Sequence, residues 1–250
     1  MATETQLPVL LINIERAAAR RRLIESQAQE LGIRLVAVAG VDGAAVPQEA
    51  WQDVDLDLFR RRNGRPMMPG EYGCYRSHLN ALAHLVESGQ EAAIIIEDDV
   101  ALSQDLMQRA AAIRDVVPGD AVVKLVNHRI VAFRETAVSA LGDPVGRCLF
   151  GPQGSAACYL VTRGAAQRLL ARLLPMSLPF DMALERVWSH QVPVLSAKDN
   201  LLSFGSMRQD TMIAHRVDYR QHKLRGWQKM PTHLFRTGEA WARARAGFFA

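Results

Sequence analysis

A chain of 250 residues is long enough to bury one sizeable core, or one domain with a smaller appendage. Its 49% hydrophobic and 22% charged residues are ordinary for a soluble globular protein, and no run approaches the ~20 apolar residues that cross a bilayer. The net charge of +4 comes from 30 Lys and Arg against 26 Asp and Glu. The excess gathers at Arg20–Arg22, at Arg60–Arg62 with Arg65, and beyond Arg208, a distribution that attracts phosphates. No nucleic-acid module accompanies it, so nucleic acid is not expected as a partner. With no basic-then-apolar leader at the N-terminus, the expected location is cytoplasmic. Cys74, Cys148 and Cys158 are an odd set with wide spacings, neither a disulfide framework nor a zinc pattern, and are expected to be reduced, with Cys74 and Cys158 packed.

Leu7–Ile14 reads as a buried strand, and Arg16–Leu31 as a helix with Leu23, Ile24 and Leu31 on its apolar side, ended by Gly32. Ile33–Ala39 is a second strand before the turn at Gly40–Gly43. This βαβ-like order predicts a parallel sheet with a right-handed crossover, so the class is α/β. Asn13 and Arg16 then lie at the carboxyl edge of the first strand, while Arg21 and Arg22 read as a solvated helix face. Trp51–Pro69 has little apolar periodicity, and its Arg-rich run reads as a surface loop near a site entrance.

Ser77–Glu87 carries Leu79, Leu82, Leu85 and Val86 on one helical face, with Ser77 as the expected N-cap and Gly89 after the end. Ala92–Ile96 is an apolar run with three consecutive Ile, the pattern of a strand covered on both faces. Glu97, Asp98 and Asp99 follow at its carboxyl end, the edge where open α/β sheets bind ligands. Three adjacent carboxylates repel unless a cation offsets them or water solvates them as an acidic turn. If the strand alternation continues, residues 97 and 99 face one side and offer oxygen ligands to Mn²⁺ or Mg²⁺.

Glu71, Gly73-Cys74, Ser77-His78 and Ile96-Glu97-Asp98-Asp99-Val100 resemble the signature of the family 25 glycosyltransferases. These are bacterial lipopolysaccharide-type sugar transferases related to collagen galactosyltransferases. The likeness extends to Val9–Arg20, Val122–Leu125, Gly154–Leu170 and Pro179–Asp181, roughly residues 8 to 185. The resemblance implies a GT-A architecture, Rossmann-like with a mostly parallel central sheet and flanking helices. It implies inverting transfer from a nucleotide sugar, a UDP-hexose, to a glycolipid or oligosaccharide acceptor in lipopolysaccharide or surface glycan synthesis. Asn13, Arg16 and Arg20 would bind the nucleotide, Glu97 and Asp99 the Mn²⁺ or Mg²⁺, and Asp98 the sugar or its neighbours. Ser77, His78 and Lys124 would support the substrate site.

Beyond the acidic triplet, Ser103–Val117 is a helix stopped by Pro118-Gly119, and Ala121–Val126 a strand whose Lys124 needs a carboxylate or phosphate partner. Residues 127–150 read as irregular. Ser155–Thr162 is a strand and Ala165–Leu174 a helix. The small residues from Gly154 to Ala157 allow close approach of a sugar on the acceptor side, or simply tight packing. Asp181 stands at a helix start, where an N-cap role would suffice, and the resemblance makes it the candidate general base. His190, His215 and His222 are available as a further metal ligand, with His215 preferred. Residues 1–220 are expected to form the catalytic domain and 221–250 a basic, aromatic segment. That segment suits an anionic membrane surface at the inner face of the inner membrane, or a helix folded back on the domain. No Walker loop or GxGxxG follows the first strand, which disfavours P-loop and dinucleotide enzymes. A non-catalytic nucleotide-sugar or membrane-surface binding protein is the alternative reading, and a nucleotidyl or phosphoryl enzyme a further one.

Overall fold

The computed structural model describes residues 7–205 and 224–249. His215, His222 and the expected boundary at residue 220 lie outside them.

The chain opens with β1 (Val9–Asn13), α1 (Ala18–Glu30) and β2 (Leu35–Ala39), with β1 and β2 parallel. The buried stripe of α1 runs through Ile24 and Ala28, one helical turn apart, while Leu23 is 41% exposed rather than packed. Residues expected to form a loop instead contain α2 (Leu56–Asn63). The Asp55 carboxylate caps it by accepting from Leu58 N at 2.8 Å, and Gly64 ends it at φ 70°. Arg60–Arg62 are therefore its last turn, where cations suit the helix dipole.

The long helix α3 (Pro69–Ser88) begins eight residues before Ser77, so Ser77 is not its cap. Pro69 opens the helix, where a missing N–H costs nothing. Glu71 reaches back to accept from Met68 N at 2.9 Å, and Arg65 pairs with both of its carboxylate oxygens at 2.6 Å. Ser77 lies mid-helix, donating to Gly73 O and accepting from Val41 N, both at 2.7 Å. Gly89 ends the helix at φ 71°, as expected.

There follow β3 (Ala92–Glu97), β4 (Val100–Ala101), α4 (Leu106–Val116), β5 (Val122–Lys124), β6 (Phe133–Val138) and β7 (Pro144–Cys148). Next come β8 (Cys158–Thr162), α5 (Arg163–Arg172), α6 (Phe180–Leu184), α7 (Val187–His190), β9 (Val194–Ala197) and β10 (Ser203–Phe204). The last element is α8 (Met230–Phe249). The β6–β7 hairpin occupies the stretch that reads as irregular in sequence.

The described residues form an eight-stranded sheet in the order β2-β1-β3-β8-β5-β9-β7-β6. Six strands share one direction, and β8 and β7 run against them. The mostly parallel α/β architecture of the GT-A expectation is observed. Leu10, Ile12, Ile95 and Tyr159 face one core with α3, α5 and α6; Val9, Leu11, Ile94 and Ile96 face the other with α1 and α4. Ile94, Ile95 and Ile96 are fully buried, each such side chain contributing about 1.5–3 kcal/mol.

Helix α8 folds back on this body. Thr232 Oγ1 donates to Arg61 O at 2.8 Å, Arg186 pairs with Glu239, and Arg243 pairs with Glu185 at 3.0 Å. Its outer face nevertheless exposes Met230, Leu234, Trp241 and Phe248, with Trp227 just before it 82% exposed. Among the described residues no helix is long and apolar enough to cross a membrane.

Candidate functional site

The parallel strands β1 and β3 end together, Ile12 paired with Glu97, and the chain turns away from the sheet there. That edge opens into a solvent-connected cleft. Asn13, Arg16, Arg20, Ser77, His78, Glu97 and Asp98 all line it, so seven of the residues singled out in sequence converge. Asp42 and Cys74 line it too.

Strand alternation sends Glu97 toward α3, the side of Ile95, and Asp98 follows toward α1. Glu97 Oε1 lies 2.9 Å from His78 Nε2 and 3.8 Å from Cys74 Sγ. Burial alone would raise the Glu97 pKa. The hydrogen bond and charge of His78, with Arg20 and Cys74, overcome it and hold the carboxyl below the usual value, so Glu97 is ionised. The His78 ring is fully buried, stacked on Phe180 with centroids 4.1 Å apart, and its Nδ1 lies 3.1 Å from Tyr159 OH. Burial, then the Glu97 and Asp181 charges, push the Cys74 thiol well above its ordinary range.

Asp98 is held by Asn13 Nδ2 at 2.5 Å on one oxygen and by Arg20 on the other. Burial lifts its pKa, and these two partners only partly offset the rise. Arg16 Nε donates to Asp42 Oδ2 at 2.5 Å. Arg21 and Arg22 are exposed, Arg21 pairing with Glu25.

Asp99 is half-buried and not part of the cleft lining. The expectation that 97 and 99 point the same way assumed a continuing strand. In fact β3 ends at Glu97, and residues 98–99 form the turn into β4, whose geometry does not alternate. Asp99 O accepts from Gly205 N at 2.7 Å. His215 lies outside the described residues.

Lys124, Gly154 and Asp181 form a neighbouring group rather than the cleft wall. Lys124 Nζ, fully buried, donates to Glu185 Oε1 at 2.6 Å and to Gly154 O at 3.0 Å. Gly154 sits at φ 72°, and a Cβ there would approach His128 Cδ2 to 2.9 Å, so its missing side chain serves packing in this structure. Asp181, in the first turn of α6, accepts from Met182 N at 2.8 Å rather than acting as the N-cap, which is Pro179. Burial and the Glu185 charge raise its pKa.

Sequence reasoning missed Cys74, Asp42 and Glu185 as members of these clusters. For Cys74 a signal existed, since it stands four residues before His78 on one helix and therefore on the same face. For Glu185 there was none, because its partner Lys124 is 61 residues away.

Fold and cleft together define an α/β protein with an ionised carboxylate and guanidinium groups gathered at the carboxyl edge of its parallel strands. Residues 6–142 match the family described as Glycosyltransferase family 25 (LPS biosynthesis protein), and the chain belongs to that family. Among curated relatives, a glycosyltransferase 25 family member of Drosophila melanogaster is 24% identical over 79% of this chain and 34% of its own length. Procollagen galactosyltransferase 1 of Danio rerio is 29% identical over 37% of this chain and 16% of its own length. The human protein named inactive glycosyltransferase 25 family member 3 is 25% identical over 67% of this chain and 30% of its own length. The chain thus spans about a third or less of these relatives. The apo-form glycosyltransferase GlyE of Streptococcus pneumoniae TIGR4 gives a TM-score of 0.37 at 11% identity, over 94% of this chain and 64% of that one. That likeness is too distant to support an inference about chemistry.

Proposed function

We propose that the chain is an inverting glycosyltransferase that moves a hexose from a UDP-sugar to a saccharide acceptor of lipopolysaccharide or another surface glycan. The observation that carries this reading is the cleft itself, which Asn13, Arg16, Arg20 and Glu97 line together. Family membership supports the class of reaction.

In this reading Asn13, Arg16 and Arg20 hold the nucleotide and its phosphates, and Asp98, clamped by Asn13 and Arg20, fixes their orientation. The acceptor hydroxyl attacks the anomeric carbon as the bond to the diphosphate breaks, and its proton passes to Asp181. A raised pKa suits that base, bringing it nearer the working pH. Ser77 and His78 support the cleft wall, and Lys124 with Gly154 braces the neighbouring loop.

A hard ion fits in part. No hydrogen bond from the described residues reaches Glu97 Oε2, whereas both Asp98 oxygens are engaged. Mg²⁺-like ions use one or two carboxylates plus substrate phosphates. Mn²⁺ or Mg²⁺ would take Glu97 and the candidate His215 beside the substrate phosphates, and would offset the diphosphate charge; Asp99, outside the cleft lining, would sit behind Glu97 in the turn.

The membrane surface is the proposed second partner, at the inner face of the inner membrane. It is supported by the exposed Trp227, Leu234, Trp241 and Phe248 beside Arg236 and Arg245. Sedimentation with anionic vesicles should be lost in Leu234→Glu/Trp241→Glu; equal sedimentation of that variant sinks the membrane reading.

Thermal unfolding with a panel of nucleotide sugars, with and without Mn²⁺, tests the donor. A ligand at about a hundred times its Kd stabilises the fold by about 2.7 kcal/mol. One UDP-hexose should give a metal-dependent shift that Glu97→Ala/Asp99→Ala abolishes. No shift with any nucleotide sugar would overturn the reading.

A further inference from the structure

We propose that Cys74, His78 and Glu97 form a binding site for a borderline-soft divalent cation, Zn²⁺, with a fourth position open to the cleft. Cys74 and His78 are four residues apart on α3, so both side chains leave the same helix face, and Glu97 meets them from the end of β3. One ligand atom from each residue lies within 4.8 Å of the other two. In a tetrahedral zinc site, bonds of about 2.0–2.1 Å to N and O and 2.3 Å to S place N about 3.3 Å from O, and S about 3.6 Å from O. Here Nε2 and Oε1 are 2.9 Å apart and Sγ and Oε1 are 3.8 Å apart. These two separations match a tetrahedral ion to within a few tenths of an ångström, and Sγ and Nε2, within 4.8 Å of each other, close toward the ~3.6 Å that such an ion sets.

The donor set decides the metal. Thiolate and imidazole beside a carboxylate select zinc over Mn²⁺ and Mg²⁺, which prefer oxygen throughout. The surroundings fit as well. Tyr159 OH lies 3.1 Å from His78 Nδ1, so Nδ1–H can donate to it while Nε2 faces the ion, and Phe180 clamps the ring from one side. All three ligands line the cleft, which gives the ion an entry path and leaves a coordination position for water or an anionic ligand. Binding releases the Cys74 proton to solvent. Glu97 is also a ligand of the hard ion proposed above, so zinc here competes with it. The site itself requires no sugar chemistry.

The test uses the reduced, metal-stripped full chain titrated with Co²⁺, a spectroscopic stand-in for zinc, in the absence of nucleotide. The expected result is a thiolate-to-cobalt charge-transfer absorption with visible bands of a tetrahedral ion, saturating at one equivalent and bleached by Zn²⁺. Cys74→Ser should lose the charge-transfer band, while Cys148→Ser keeps it. Tyr159→Phe should weaken zinc about 10-fold or more. Wild-type chain without a charge-transfer band overturns the proposal without recourse to any variant. A band that survives in folded Cys74→Ser, checked by circular dichroism, overturns it too. Because no nucleotide sugar is present, failure here is distinct from failure of the transferase reading.

Discussion

Glu185 is the hub of a buried charge cluster, and its loss should cost far more than the loss of Lys124. Its side chain is 1% exposed and accepts from Lys124 Nζ, Gln153 N, Gly154 N and Arg243 at 2.6–3.0 Å. Lys124, wholly buried, has as partners among the described residues only Glu185 and the Gly154 carbonyl. Glu185→Ala therefore strands a buried ammonium and two amide donors, and breaking a buried pair in this way costs about 3–5 kcal/mol. For a domain of this size that corresponds to a fall in Tm of roughly 6–20 °C. Lys124→Met leaves Glu185 with Arg243 and both amides, so its cost should be about half or less, near 1–2 kcal/mol. The paired change Lys124→Met/Glu185→Leu removes both charges and should recover part of the Glu185→Ala loss, since apolar replacement of a whole pair is often near neutral. Urea unfolding of the three variants checks the order. Equal costs for the two single changes, or a Glu185→Ala cost under about 1 kcal/mol, would refute the assignment of Glu185 as the hub.

The same cluster predicts the acid limb of stability. Burial would raise the Glu185 pKa, but the Lys124 and Arg243 charges outweigh it and hold it below 4.5. A depressed folded pKa gives stability that is complete above the unfolded value and lost as pH falls through the folded one. Unfolding free energy of wild type should thus decline below pH 4.5, and Glu185→Gln should flatten that decline; parallel curves would contradict it. Gly73→Ala should cost about 3 kcal/mol or more, because a Cβ there would lie 2.4 Å from the Val41 carbonyl and 2.6 Å from Gly43 N, backbone atoms that cannot swing away. A melting temperature close to wild type would refute that contact. Ser77→Ala strands the Val41 N–H and should lose about 1–2 kcal/mol, and an unchanged urea midpoint would show that water replaces the hydroxyl.

What was legible in the sequence was whatever one segment fixes by itself. Three consecutive β-branched Ile in a short apolar run between Gly89 and Glu97 favour a strand buried on both faces, and the acidic triplet after it marked the edge where the cleft opens. The start of α3 was misplaced because the apolar periodicity begins at Leu79, whereas Tyr72, Gly73 and Tyr75 pack by shape. Pro69 and, two residues on, Glu71, which accepts from Met68 N, were there to be read as a helix start, although Met68 lacks the hydroxyl that would complete a capping box. The β6–β7 hairpin escaped because most of β6 is exposed or half-buried, so hydrophobicity does not mark its alternation. Helix α2 was concealed by Arg60–Arg62, whose charges look like a loop but close a helix between Asp55 and Gly64. The site was half legible: short-range motifs named Asn13, Arg20, His78 and Glu97, but the end of strand alternation at Glu97 and the long-range partner of Lys124 are tertiary facts.

A crystal structure of the chain with a UDP-hexose and Mn²⁺ would show whether the cleft between β1, α3 and the end of β3 holds the sugar donor. The diphosphate should lie between Arg16, Arg20 and Glu97, with the hexose directed toward Asp181. A donor bound elsewhere, such as the apolar groove formed by Phe150, Trp241 and Phe248, with the cleft empty, would contradict it.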